Sequence, residues 1–264
     1  MISIFFIGDI VGRPGRDLVK GFLPGFRRER GVDFVVANGE NAAHGKGLTV
    51  AVVEELFSAG VDVITGGNHT WKNRDIFNII DDEPRILRPA NYPDYPEVPG
   101  RGHGIFHIPN TDHSIGVVNL MGRVFMNPMD DPFKVGRRLV DEIRKRTKII
   151  LVDMHAEATS EKAALAWSLD GLASVVVGTH THVPTADENI TPAGTATQSD
   201  AGMTGPYDGI LGVSKEQIML TMRTQMPVRH ELAKGDLRLC GLYTRVEPTT
   251  GRATLVERIC HRVP

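Results

Sequence analysis

Five short apolar runs in this sequence stop in the same way. Each gives way at once to Asp, Glu, Asn or His, usually beside glycine. The runs Ile2–Ile7, Phe34–Ala37, Asp62–Thr65, Ile149–Val152 and Ser174–Val177 have the length and β-branched content of buried strands. They lead into Gly8-Asp9, Gly39-Glu40-Asn41, Gly67-Asn68-His69, Asp153-Met154-His155 and Gly178-Thr179-His180-Thr181-His182. Helical spacing fills the gaps between runs, and strands alternating with helices predict an α/β fold. In open α/β sheets, ligands bind beyond the carboxyl ends of the strands. Polar residues far apart in sequence are therefore expected to meet in one crevice, with glycine where backbone must approach closely.

The helices follow from the same pattern. Residues 16–30 place Leu18, Val19, Phe22, Leu23 and Phe26 at helical spacing, with Pro24 predicting a kink or an early end. Thr49 predicts the N-cap of a helix reaching Ala59, and Ser160 that of a helix reaching Leu169. Residues 135–145 and 215–223 are also read as helical. The proline- and glycine-rich stretch 84–132 predicts strands near 105–108 and 115–120 among long loops, forming either a second sheet or a cap. Near the end, 237–246 and 253–259 predict a hairpin turning at Thr249-Thr250-Gly251. No repeat or linker interrupts the chain, so residues 1–264 are read as one domain.

Composition narrows the partners. Thirty Lys+Arg against thirty-two Asp+Glu give a net charge of -2. That balance predicts no broad nucleic-acid binding, while a local patch can still hold one phosphate. Cys240 and Cys260 cannot form a disulfide scaffold and are expected to be buried core thiols. No apolar run approaches the ~20 residues of a membrane span, and Met1 leads straight into a strand. The expectation is a soluble, cytoplasmic protein, with a homo-oligomer left open.

The residues at the strand ends offer carboxylate, amide and imidazole atoms and no sulfur. Such a set suits Mn, Fe or Zn, and Mg less well. It also exceeds what one tetrahedral ion needs, so two ions sharing a carboxylate fit the count better. Two neighbouring ions are the usual clamp for phosphoester hydrolysis, and a histidine beside them can protonate the leaving oxygen. His69 is the candidate for that role. Singly, several of these residues have plainer readings: Asp9 as a helix cap, Asn68 as a left-handed turn residue, His155 as a hydrogen-bonded core residue. Arg13 and His44 are candidates for touching substrate. Gly45-Lys46-Gly47 lacks the spacing of a nucleotide-binding P-loop. Glu157 and Lys162 are read as solvated positions, with orienting the ligands as the alternative.

In chain order, GDIV, NGEN, GGNH, MHAE and GTHTH resemble the motifs of calcineurin-like metallophosphoesterases. More closely, IGDIVGRPGR, NGENAAHGKGLT, GGNHTW, DMHAEATSEK, VGTHTHVPTAD and SDAGMTGP resemble the bacterial YmdB family, a branch acting on cyclic nucleotides. The resemblance runs from residue 2 to about residue 260. It implies a four-layer α/β/β/α sandwich and a di-metal phosphodiesterase. One metal would be held by Asp9, Glu40, Asn41 and His182. The other would be held by Glu40, Asn68, His155 and His180, with Glu40 bridging and His69 donating the proton. Two positions depart from the wider superfamily. Val11 stands where a histidine is usual, and Glu40 replaces the usual bridging aspartate. Both agree with the YmdB branch, for which iron and 2′,3′-cyclic nucleotides are implied. Two other outcomes stay open: a phosphomonoesterase (nucleotidase or protein phosphatase), and a metal-containing regulatory binding protein with little turnover.

Overall fold

Strands that are apolar at every position need cover on both faces. The computed structural model, which describes residues 1–263, supplies it with two sheets face to face and helices outside each. The chain begins with β1 (Ile2–Ile7), β2 (Asp9–Ile10), β3 (Phe34–Asn38), β4 (Val63–Thr65) and β5 (Ile86–Leu87). It crosses to a second sheet through β6 (His103–His107), β7 (Ser114–Met121), β8 (Ile149–His155), β9 (Val175–Thr179), β10 (Asn189–Ile190) and β11 (Ala196–Gln198). It returns to the first sheet with β12 (Met203–Pro206), β13 (Leu237–Val246) and β14 (Ala253–Arg262). The first sheet runs β2-β12-β13-β1-β3-β4-β5 with β14 on the other edge of β13, and the second runs β10-β11-β9-β8-β7-β6.

The two-residue period of a strand splits each run between two cores. In β1, Phe5 and Ile7 meet α1 (Gly12–Arg30) and α2 (Val50–Ser58), through Val19, Leu23, Val53 and Leu56. Ile2, Ile4 and Phe6 point the other way, against Ile115, Val117, Leu151 and Val177 of the second sheet. Beyond that sheet, Val118, Leu120, Val152 and Met154 meet Leu139, Val140 and Ile143 of α3 (Pro132–Ile143) and Leu165 of α4 (Thr159–Ser168). The result is the four-layer α/β/β/α sandwich that the motifs implied.

Local signals explain most boundaries. Gly31 ends α1 in the left-handed region at φ 59°, its N–H reaching Arg27 O, and Arg27, Arg28 and Arg30 face the negative end of the helix dipole. Pro24 is accommodated inside α1 without ending it. Thr49 caps α2 as expected, its hydroxyl accepting from Val52 N–H at 3.2 Å. Ser160 does not cap α4: the cap position is Ala158, and no side chain bonds there. The stretch 84–132 contributes β5 to the first sheet and β6 and β7 to the second, so it is not a cap. The final hairpin forms as expected, but only Cys240 is buried; Cys260 lies exposed on the edge strand. α5 (Lys215–Thr224) buries none of its residues. Among the described residues, no helix is long and apolar enough to cross a membrane.

Candidate metal centre

β1, β3 and β4 are parallel neighbours, as are β7, β8 and β9, so their carboxyl ends gather at one rim of the sandwich. Glu40, His155 and His180 meet there, each offering a ligand atom within 4.8 Å of the others. His155 Nε2 lies 3.2 Å from Glu40 Oε1, 2.9 Å from Asn68 Oδ1 and 3.1 Å from His180 Nδ1. A second group adjoins it. His182 Nε2 stands 3.2 Å from Asn41 Nδ2 and 3.8 Å from Asp9 Oδ1. Glu40 sits between the groups, its Oε1 also 3.2 Å from Asn41 Nδ2. His69 closes the rim: Nδ1 is 2.7 Å from Asn41 Oδ1, and the backbone N–H donates to Glu40 Oε2 at 2.9 Å. All eight strand-end residues are thus brought together. Arg13, the candidate for touching substrate, extends its side chain into solvent, 82% exposed, and pairs with Asp17. His44 is exposed in the glycine loop at φ 53°, and Val11 is buried, offering no ligand atom.

Three features of this cluster fit a bound cation. Asp9 Oδ1 is buried with no hydrogen-bond partner among the described residues, which is costly for a carboxylate unless positive charge completes it. Two imidazole nitrogens face one another beside a buried carboxylate, a ligand set of imidazole and oxygen. Gly67 forms the floor: a Cβ there would collide with Glu40 Oε2 and His155 Nε2. The electrostatics agree. Burial opposes charge on His155, but Glu40 and Asp9 more than offset it and hold the imidazole up at about 9. Burial and the charge of His155 push its neighbour His180 down to about 3. Burial also resists ionisation of Glu40, yet His155 and His69 keep it well below the usual carboxylate range. For Asp9, burial outweighs His182 and His155, and its pKa is raised. Glu40 and Asp9 thus favour positive charge at this point of the rim.

Beneath the ligands lies a polar layer that the sequence motifs only partly exposed. His155 Nδ1–H donates to Thr179 Oγ1 at 2.9 Å, and that hydroxyl donates to Asp153 Oδ1 at 2.7 Å. The other Asp153 oxygen accepts from Thr65 Oγ1 at 2.5 Å and Asn38 Nδ2 at 3.0 Å. Asn38 and Thr65 belong to the first sheet and Asp153 and Thr179 to the second, so one buried carboxylate ties the sheets together under the site. Burial raises Asp153 to about 6 against His155 and these three donors. The chain fixes the tautomer of His155, leaving Nε2 free for a ligand. His180 is oriented likewise, Nε2 lying 3.1 Å from Glu157 Oε2. Lys162 is not solvated: its ammonium sits 2.7 Å from Asp200 Oδ2, both buried. Asp200 also accepts from Thr181 N–H at 3.1 Å and Thr181 Oγ1 at 2.6 Å. It therefore pins the residue between His180 and His182, which both adopt positive φ, 97° and 63°. Asp153 could have been read from the sequence as the residue two before His155, on the same strand face. Asn38, Thr65 and Thr179 carried no such signal.

The comparisons with known proteins agree with this geometry. The chain is 50% identical over 258 residues to a 2′,3′-cyclic-nucleotide 2′-phosphodiesterase of Bacillus subtilis, covering 98% of this chain and 96% of that one. A crystal structure of a hypothetical protein from Thermus thermophilus superposes with a TM-score of 0.92 at 41% identity, over 100% of both chains. One described as a novel phosphatase, from Mycoplasma pneumoniae, superposes with a TM-score of 0.92 at 33% identity, over 99% of this chain and 93% of the other. The model of the YmdB-like proteins matches residues 5–259. With that match over a cluster built to hold a cation, the chain belongs to the YmdB-like family and carries a metal-dependent phosphoesterase site of the calcineurin type.

Proposed function

We propose that this protein is a two-metal phosphodiesterase that opens 2′,3′-cyclic nucleotides. The observation that carries the reading is the meeting of buried Glu40 and His155 with half-buried His180, in a chain half identical to a 2′,3′-cyclic-nucleotide 2′-phosphodiesterase. One cation would be held by Asp9, Glu40, Asn41 and His182. The second would be held by Glu40, Asn68, His155 and His180, with Glu40 shared. Iron is the proposed metal. When bound, the cations supply Lewis-acid charge at the phosphoryl oxygens and make water acidic enough to attack at neutral pH.

The chain's own residues do the rest. Asp153 and Thr179 hold the His155 ring, Glu157 holds His180, and Leu211 O holds His182 at Nδ1, 3.2 Å away. Asn41 and Glu40 hold His69 at Nδ1, so Nε2 is the nitrogen left to hand a proton to the departing ribose oxygen. Breaking the bond to O2′ leaves a nucleoside 3′-phosphate. The one-domain reading is supported by the inter-sheet core, to which both sheets contribute.

The test is a substrate panel with protein purified anaerobically and its metal content measured. The expected result is two iron ions per chain and faster turnover of 2′,3′-cyclic than of 3′,5′-cyclic nucleotides or monoesters. Faster turnover of monoesters would make it a phosphomonoesterase. No turnover of any phosphoester by the metal-loaded protein would favour a binding role.

A further inference from the structure

Away from the metal centre, the final hairpin sets the chain's two thiols face to face. Cys240 of β13 and Cys260 of β14 are register partners, and their sulfurs lie 3.5 Å apart. The backbone around Cys240 decides how they meet. Its carbonyl accepts from Gly8 N–H at 3.0 Å and its N–H donates to Thr204 Oγ1 at 3.3 Å. Both groups point away from β14, which makes Cys240 and Cys260 a non-hydrogen-bonded pair of an antiparallel ladder. Such pairs bring Cα atoms to about 4.5 Å, within the span of about 4.4–6.8 Å that a disulfide bridges.

The two sulfurs are not equivalent. Cys240 is buried, with Tyr207 Oη 3.2 Å from its sulfur. Cys260 is exposed on the edge strand, where reagents reach it. On its face of β14 it stands between Arg258 and Arg262, and Arg238 lies diagonally across on β13. The hydrogen bond from Cys240, aided by Arg238 and Arg258, outweighs burial and holds the Cys260 thiol down at about 6. A thiol in that setting is the nucleophilic member of a pair.

We propose that Cys240 and Cys260 form a dithiol–disulfide couple that exchanges with small disulfides, Cys260 attacking and Cys240 resolving. The Cys260 thiolate attacks one sulfur of R–S–S–R, forming a mixed disulfide and releasing one R–S⁻. The Cys240 sulfur then attacks Cys260 Sγ, breaking the mixed disulfide and releasing the second R–S⁻. The two protons from the cysteines end on the released thiols. The protein has lost two electrons and the small disulfide has gained them.

The test uses the folded, metal-loaded protein and excess oxidised glutathione at neutral pH. Expected are the loss of both free thiols per chain and an intact mass lower by two hydrogens. Digestion should yield one linked peptide pair spanning Cys240 and Cys260, and dithiothreitol should reverse the change. Cys240→Ser should stop at the mixed disulfide, its mass raised by one glutathionyl group, while Cys260→Ser should not react until unfolded. The wild-type mass measurement stands even if a variant fails to fold. Persistence of two free thiols, a stable glutathione adduct on the wild type, or a disulfide between chains would each overturn the proposal.

Discussion

Replacing Lys162 by Met tests whether the buried layer holds the His180–His182 turn in place. Lys162 and Asp200 have side chains only 3% and 1% exposed, and their charged atoms are 2.7 Å apart. Breaking a buried ion pair by removing one partner costs about 3–5 kcal/mol, because the other charge is left uncompensated. Asp200 would keep Thr181 N–H, Thr181 Oγ1 and Gly202 N–H as donors, so the lower end applies, about 3 kcal/mol. Asp200→Asn should cost a similar amount, since it strands the ammonium and weakens the grip on Thr181. The double variant leaves no buried charge. Its loss should fall short of the sum of the single losses by about 2 kcal/mol. Urea unfolding followed by circular dichroism, with and without metal, measures all three. A second readout follows from the strain at His180 and His182, whose positive φ values are about 1–3 kcal/mol uphill each. In Asp200→Asn, where the grip on Thr181 weakens, the turn relaxes, and metal affinity should fall roughly 10–100-fold. A Lys162→Met protein within about 0.5 kcal/mol of wild type, or single losses that simply add, would refute the reasoning.

Three other outcomes follow from the same geometry. Gly67→Ala places a methyl against Glu40 and His155; elemental analysis should find the metal lost from a folded chain, and full metal content would show that the cradle is not filled as described. Thr179→Val removes the hydroxyl joining His155 to Asp153. Metal titration should show affinity roughly 10–100-fold weaker and restored by Thr179→Ser; equal loss in both variants would point to packing instead. His69→Ala should keep its metals and slow cleavage of alkyl esters about 10²–10⁴-fold. It should slow nitrophenyl esters much less, because their leaving group needs no proton, and an equal loss on both would remove His69 as the donor.

Much of this molecule can be read along the chain because its signals are local. An apolar run of four to six residues that ends beside glycine and an acid or imidazole says where a strand stops, and parallel strands stop on one side. Asp9, Glu40, Asn68 and His155 are therefore legible as one rim from the residues alone. Arg13, at the start of α1, reads as a candidate substrate contact, and its side chain extends into solvent beside Asp17. Ser160 has the residue type that favours caps, but the chain enters α4 two residues earlier, at Ala158.

By itself the sequence determined the strand–helix rhythm, the polar residues at the strand ends and the chemical character of the ligand set, because each is a property of neighbours along the chain. Only the tertiary structure decided which side chains lie beneath the ligands. Asn38 with Asp153 and Lys162 with Asp200 are paired by how the sheets and helix pack. Contacts across packed layers leave no period in the sequence from which to read them.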